Sequence, residues 1–315
     1  METQQEDDIL LQDTLVHKYN VQVPRYTSYP SLPHWHNMPK NEEYPAILNT
    51  AIHNSKEGIS IYIHLPFCES LCTYCGCNTR ITINHAVEEP YILALLEEWN
   101  HYLEVLDKKP VVKEIHLGGG TPTFFSPQNL QRLITGILSC VDVAKNPEFS
   151  IEAHPGVTTW KHLEVLSERG SRRVSFGVQD FNPQILKAIN RKQTADQVAQ
   201  ITRDARALGF TSVNYDFVYG LPFQTKQDII EDAIYLNLLR PDRIAFYSYA
   251  HVPWKKGGQR KFSENDLPGT VEKLALYETG KKLFMEMGYK AIGMDHFAFP
   301  EDDLYIALKD KTLSR

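Results

Sequence analysis

ISIYIHLPFCESLCTYCGCNTR, residues 59–80, joins a β-rich run to four cysteines. ISIYIHLPF (59–67) alternates polar and apolar positions and is rich in β-branched and aromatic residues, which predicts a strand. It leads directly into Cys68, Cys72, Cys75 and Cys77, spaced C-x3-C-x2-C with a further C-x-C. The fifth cysteine, Cys140, follows an apolar helical stretch and reads as a small core hydrophobe.

Five more strand-like runs follow: KEIHL (113–117), FSIEA (149–153), RRVSFGVQ (172–179), TSVNYDFVYG (211–220) and DRIAFYSYA (242–250). Helical spacing fills the intervals at 91–106, 126–138, 158–170, 195–209 and 226–239, with a last helix over about 270–287. Ser126 with Pro127 is a helix start and Gly170 a helix stop. Six alternations of strand and helix predict an α/β fold with a parallel sheet. In such sheets ligands gather at the carboxyl ends of the strands. The cysteine loop, Gly118-Gly119-Gly120, Glu152, Gln179, Asp216 and Tyr249-Ala250-His251 all fall there. Residues 1–55, rich in Pro, Tyr and His, predict an irregular extension wrapped on this unit. The histidines of PSLPHWHN lack ligand spacing and read as surface or packing residues.

The 315 residues suffice for a sizeable core, with 42% apolar and 23% charged residues. The acidic start METQQEDDILLQDTLVHKY has no long apolar run, so a secretory signal is not expected. No run of about 18 apolar residues predicts a membrane span. A net charge of -6 argues against a nucleic-acid partner. An odd cysteine count without an export signal points to a reducing, cytoplasmic setting, where thiols bind metal or react.

C-x3-C-x2-C can turn three thiolates toward one small metal centre. Zinc usually takes two separated cysteine pairs, and no second pair follows; His64 and His85 could complete such a site. A [4Fe-4S] cluster can be held by three cysteines with one iron left open, or closed by Cys77 as a fourth ligand. The triple glycine is not a G-x-G-x-x-G fingerprint, so a dinucleotide is not expected; glycines let a backbone approach a ligand closely.

The motif string is more specific than any of its parts. IYIHLPFCESLCTYCGCNTR, PRYTSYP (24–30), GGGTPT (118–123), GVQDFN (177–182), YGLP (219–222) and GMDHFA (293–298) together resemble the oxygen-independent coproporphyrinogen III oxidases of the radical S-adenosylmethionine (SAM) superfamily. The resemblance covers about residues 15–315. It implies a partial (β/α)6 barrel over 56–300, an N-terminal extension over 1–55 and, at 301–315, the start of a C-terminal region. It implies a [4Fe-4S] cluster on Cys68, Cys72 and Cys75, with Cys77 not a ligand. It implies two SAM molecules, the first at Tyr62, Tyr74, Gly119 and Glu152. The second is implied at Gly120, Thr121, Gln179, Arg191, Asp216 and Ala250. No catalytic side chain beyond these cofactor contacts is assigned.

Each residue also has a plainer reading. Tyr62 could line a barrel, the glycines could form a simple turn, Asp216 could be an ordinary buried acid and Arg191 a surface charge. The family commonly has an acid where this chain has His154. The implied reaction is oxidative decarboxylation of coproporphyrinogen III to protoporphyrinogen IX in haem biosynthesis. It calls for an electron donor such as flavodoxin or ferredoxin, and the protein is expected to be a monomer. The tetracarboxylate substrate calls for a basic rim, for which Arg25, Lys255, Lys256, Arg260 and Lys261 are candidates by charge. A haem-binding chaperone of the same superfamily is the alternative, though the C-G-C continuation and PRYTSYP favour the oxidase; a non-catalytic zinc or iron–sulfur protein is another. The family continues past KDKTLSR into a helical C-terminal domain. Its absence here implies an open barrel mouth, an exposed apolar patch, weak SAM binding and slow decarboxylation.

Overall fold

A computed structural model describes residues 39–254 and 257–313, with Leu15, Lys18 and His34. PRYTSYP, Arg25, Lys255 and Lys256 lie outside the described residues. The elements in chain order are α1 (Tyr44–Asn54), β1 (Ile59–Leu65), β2 (Phe67–Cys68), β3 (Arg80–Ile81), α2 (Glu88–Val105), β4 (Val111–Gly119) and α3 (Pro127–Leu138). Next come β5 (Asp142–Ala153), α4 (Trp160–Glu168), β6 (Ser171–Gln179), α5 (Pro183–Ala188), α6 (Ala195–Ala207), β7 (Ser212–Tyr219) and α7 (Lys226–Leu239). The last are β8 (Arg243–Ser248), α8 (Thr270–Glu286), β9 (Lys290–Gly293), β10 (His296–Ala298) and α9 (Asp303–Lys309).

The six strands expected from the sequence lie side by side and parallel, in the order β1-β4-β5-β6-β7-β8. Two antiparallel strands, β10 and then β9, extend the sheet to eight. Among the described residues β1 pairs in this sheet only with β4, so the barrel is not closed.

Alternation gives the sheet two unlike faces. Leu65, Leu117, Ile151, Phe176, Tyr215 and Phe246 are buried and share one core with Leu130, Leu163, Ile201, Ile229 and Phe284 from the covering helices. The intervening positions are polar: Tyr62 and His64, His116, Ser150 and Glu152, Ser175, then Asn214 and Asp216. Register aligns Gly177, Asp216, Ala245 and His296 in one row across the sheet. Good helix starts hold the covering layer in place. Ser126 accepts from Asn129 N–H, and Thr194 and Thr225 close capping boxes on α6 and α7.

The structure corrects the sequence reading at residues 44–54 and at Cys140, and gives GMDHFA a shape that the motif alone did not specify. Residues 44–54, expected to be irregular, form α1, anchored by Asn49 Nδ2 to Val105 O at 2.8 Å and by Asp107 N to Asn49 Oδ1 at 3.0 Å. GMDHFA is a hairpin joining β9 to β10 through Met294 and Asp295, both with positive φ. Cys140 is half-buried rather than a core residue. On the outer face of α7, Ile230, Ile234 and Leu238 follow i, i+4, i+8 and are exposed. No described helix is long and apolar enough to cross a membrane.

Candidate active site

The cysteine loop is clamped at its base. β2 pairs in parallel with β3, Phe67 opposite Arg80 and Cys68 opposite Ile81, so the chain leaves and re-enters at one point. Arg80 N–H donates to Pro66 O at 2.8 Å and Thr82 N–H to Cys68 O at 2.9 Å. The far side is tied to the end of α5: Thr73 N–H donates to Ile189 O at 3.0 Å, and Asn190 Nδ2 to Leu71 O at 2.7 Å. Behind the clamp, His85 stacks on Phe124 and lies 2.7 Å from Glu88. Ser126 N–H and Asn129 Nδ2 also donate to the Glu88 carboxylate. Burial works against that charge, but these hydrogen bonds outweigh it and hold the carboxyl below its ordinary range.

The three expected ligands are near neighbours with polar support. Cys68 Sγ lies 3.2 Å from Thr121 Oγ1, and Arg191 Nη1 donates to Cys72 Sγ at 3.7 Å. Burial pushes the Cys68 thiol up; Cys75 and Cys72 push it further, while Thr121 and Arg191 oppose. Cys77 is exposed and its thiol is pushed up, first by a hydrogen bond with Cys75 and then by burial of the sulfur. Tyr74, between Cys72 and Cys75, packs against the small core of Ile185, Leu186, Ile189, Val218, Leu221 and Tyr249. Burial pushes its phenol well up.

Each glycine of the run has its own reason. Gly119 has φ +120°, a conformation side chains rarely adopt, and its N–H donates to Glu152 Oε2 at 3.1 Å. A Cβ at Gly118 would meet Tyr62, His116 and Glu152 at 3.0–3.2 Å. A Cβ at Gly120 would lie 2.5 Å from Pro66 O, backbone that leads into Cys68. Backbone packing therefore explains Gly120 without any ligand.

The other expected residues ring this loop. Tyr62 stacks on His116 at 5.8 Å and bonds His64 Nδ1 at 3.0 Å. His116 reaches Ser150 at 2.8 Å and Glu152 at 3.5 Å. Asp216 accepts from Ser175 at 2.8 Å and Asn214 at 2.8 Å; burial still raises its carboxyl above the ordinary range. Arg191 is not a surface charge: it donates to Gly177 O, Gln193 Oε1 and Cys72 Sγ. Gln179 is buried with φ 70°, beside Arg191 over Gly177. Ala250 is exposed, its carbonyl held by Gln259 Nε2 at 3.1 Å. His154 accepts from Gly156 N–H at 2.9 Å; burial and then Arg191 lower its pKa to about 3. This ring is a neutral acceptor beside the Arg191 guanidinium.

Sequence reasoning missed His116, Ser175 and Asn214, although period two within KEIHL, RRVSFGVQ and TSVNYDF placed them on the polar face. It also missed a buried network behind GVQDFN. Gln224 donates to Asp180 at 2.8 Å and accepts from Gly220 N–H at 2.7 Å, tying the loops after β6 and β7 together. Asn182 bonds Asp228 at 2.6 Å, and Phe181 N–H donates to Asp232 Oδ1 at 2.9 Å. Asp232 Oδ2 is buried without a hydrogen-bond partner. Burial pushes the Asp180 carboxyl up to about 7 and the Asp232 carboxyl well up, with Asp180 as the next cause, then Asp228 and Glu231.

A raised acid destabilises the fold only once pH is high enough to ionise the unfolded carboxyl. Asp232→Asn keeps the Phe181 contact and places an amide donor against the neighbouring carboxylates. The variant should be more stable than wild type by about 1–3 kcal/mol near pH 8. That gain should shrink as pH falls toward about 4, the unfolded Asp pKa. Chemical denaturation across this range checks it; an Asn variant less stable at pH 8 contradicts it.

The geometry can be set beside known proteins. The radical SAM superfamily profile matches residues 62–236. The oxygen-independent coproporphyrinogen III oxidase of Pseudomonas aeruginosa is 36% identical over 314 residues, 98% of this chain and 67% of that protein. That of Helicobacter pylori is 39% identical over 304 residues, 95% and 66% of the two chains. The solved coproporphyrinogen III oxidase of Escherichia coli, described as a radical SAM enzyme, superposes with TM-score 0.87 at 33% identity, covering 96% of this chain and 67% of that one. The chain belongs to the radical SAM superfamily. Within that superfamily it is a member of the oxygen-independent coproporphyrinogen III oxidase family. It spans about two thirds of the length of the curated relatives it matches.

The family implies a [4Fe-4S] cluster and SAM, and the residues present fit both. Burial and then the neighbouring Cys75 and Cys72 push the Cys68 thiol up, a crowding that a bound cationic centre relieves. Among the described residues no three His, Cys, Asp or Glu side chains are grouped to hold a metal ion directly. The Glu152 and Asp216 carboxylates beside the loop suit a ligand carrying an ammonium and ribose hydroxyls.

Proposed function

We propose that the chain catalyses the anaerobic oxidative decarboxylation of coproporphyrinogen III to protoporphyrinogen IX, the activity for which its relatives are named. The observation that carries this is the clamped three-thiol loop, joined through Arg191 and Thr121 to the polar strand ends. In this reading Cys68, Cys72 and Cys75 hold the cluster and Cys77 does not. Tyr62, Tyr74, Gly119 and Glu152 line the first SAM; Gly120, Thr121, Gln179, Arg191, Asp216 and Ala250 line the second.

When bound, the cluster and SAM would supply the one-electron chemistry by which a propionate gives up one β-hydrogen atom to a SAM-derived group, CO2 and one electron to an external acceptor, leaving a vinyl group. The chain's own work is positional. Glu152 is half exposed beside the loop and holds Gly119 N–H through one oxygen, which leaves lone pairs for an incoming ammonium or hydroxyl. Ser175 and Asn214 hold one Asp216 oxygen each, which leaves the remaining lone pairs for a ligand hydroxyl. Arg191, half-buried and fixed at three acceptors, keeps a permanent cation beside Cys72. Its neighbour His154 stays neutral, so the local charge does not change with pH near neutrality. The reading also places the protein in the cytoplasm as a monomer, supplied with single electrons by a carrier protein.

The test is an anaerobic assay of the reconstituted chain with coproporphyrinogen III, SAM and a low-potential reductant. Protoporphyrin, CO2 and 5′-deoxyadenosine should appear together and depend on SAM. A chain with a full cluster that cleaves SAM yet leaves coproporphyrinogen intact overturns the substrate assignment.

A further inference from the structure

The chain carries net charge -6, yet the segments that meet the cysteine loop are cationic. Residues 183–194 contain Lys187, Arg191 and Lys192 and no acid; residues 257–263 contain Arg260 and Lys261 and no acid. Both touch the loop. Ile189 and Asn190 bond Thr73 and Leu71, and Gly258 lies against Leu71 and Thr73. Lys187, Lys192, Arg260 and Lys261 are exposed, and none of them forms an ion pair among the described residues. Many cations elsewhere are paired, such as Lys109 with Asp142, Arg132 with Glu89 and Arg206 with Asp242. Within the loop the acid is Glu69, which lies 3.6 Å from His85. Apolar side chains on the loop and on the segment beside it are exposed too: Leu71 is 43% exposed and Trp254 60%. Arg260 Nε donates to Pro253 O at 3.2 Å, which keeps that cation next to Trp254.

We propose that this surface, formed by Leu71, Lys187, Lys192, Trp254, Arg260 and Lys261, is the docking site of an acidic one-electron carrier protein. The inference rests on the cluster reading above. One electron leaves the reduced carrier and enters the cluster; the carrier is oxidised by one electron and no atom is exchanged. The surface has what such a transient partner needs. Unpaired cations steer an acidic protein and orient it, and exposed Leu and Trp side chains give short-lived apolar contact. It also lies directly on the loop that carries the cluster cysteines, so docking there brings the two redox centres together. A tetrapyrrole tetracarboxylate is the competing claimant for the same charges, and the test separates the two.

The probe is a reduced acidic flavodoxin, mixed anaerobically with the cluster-loaded chain, with cluster reduction followed optically. The wild-type rate constant should fall about tenfold between low and physiological ionic strength, as steered association does. Lys187→Glu with Lys192→Glu, and Arg260→Glu with Lys261→Glu, should each slow the reaction about tenfold at low salt. Photoreduced 5-deazaflavin, a small reductant that needs no docking, should reduce wild type and variants alike. Binding of oxidised flavodoxin to the cluster-free chain should weaken in the same order, a readout independent of turnover. Rates insensitive to both salt and charge reversal overturn the proposal. So do variants that lose coproporphyrinogen affinity while carrier reduction is unchanged, which would assign the cations to the substrate. If a reversal pair fails to take up iron, the Gln pairs and the wild-type salt series decide the matter. A wild-type chain that assembles no cluster, yet binds flavodoxin with the expected salt dependence, overturns the cluster reading and leaves the surface standing.

Discussion

Serine at Cys68, Cys72 or Cys75 should cut the iron retained after anaerobic reconstitution by about tenfold or more, because each thiolate lost removes one anchor of a three-point site. Cys77→Ser should keep nearly all of it. Cys77 is exposed and bonded to Cys75 rather than to the supporting groups, whereas Cys68 and Cys72 have Thr121 and Arg191 behind them. Iron and acid-labile sulfide per chain, with visible absorption, check the series. Equal losses from Cys77→Ser and Cys72→Ser would sink the three-ligand reading.

Gly120→Val should be almost as damaging, for a reason the sequence alone does not show. From sequence the expected effect is loss of SAM affinity with the cluster intact. The structure puts the added Cβ 2.5 Å from Pro66 O, 2.6 Å from Pro66 C and 2.9 Å from Phe67 O. Backbone must move, and it is the backbone that delivers Cys68. Overpacking of this kind costs about 1–3 kcal/mol, and here the displaced atoms belong to the clamp itself. Iron uptake and SAM binding should therefore fall together. Gly76→Ala is the control, since nothing lies within 4 Å of its added Cβ. A Gly120→Val protein with full iron and weakened SAM binding by calorimetry would restore the ligand-contact explanation.

The main strands were legible because each repeats a strong period-two pattern and ends in turn chemistry. ISIYIHL, KEIHL and SVNYDFV bury one set of side chains and leave the other at the site. What was hidden depends on partners distant in sequence. The two-residue strands β2 and β3 are too short to carry a period, and exist because Pro66 and Cys68 offer carbonyls to Arg80 and Thr82. The β9–β10 hairpin lacks the usual Asn-Gly signal, since Met294 and Asp295 take the positive φ. α1 has a weak amphipathic pattern and is held by contacts to the end of α2. The acids behind GVQDFN look like loop residues until Gln224, 44 positions away, is found on Asp180. Arg191 reads from sequence as a solvated charge because its acceptors lie 14 and 119 residues away.

That arginine has a thermodynamic consequence. One guanidinium joins the β6 carbonyl of Gly177, Gln193 just before α6, and the sulfur of Cys72. Whatever orders Cys72 then also orders the stretch between β6 and α6. By mass action, any centre that binds only the folded arrangement shifts the opening equilibrium of every segment that must be closed for it to bind. Residues 177–193 should therefore behave as a ligand-linked unit, exchanging amide hydrogens and admitting proteases more slowly once the cysteines are occupied. Helix α9, whose cap and ion-pair contacts run to Asp302 and Arg173 instead, should keep its local opening rate. Occupancy of the cysteine loop would thus be readable in the protection of a peptide more than a hundred residues downstream.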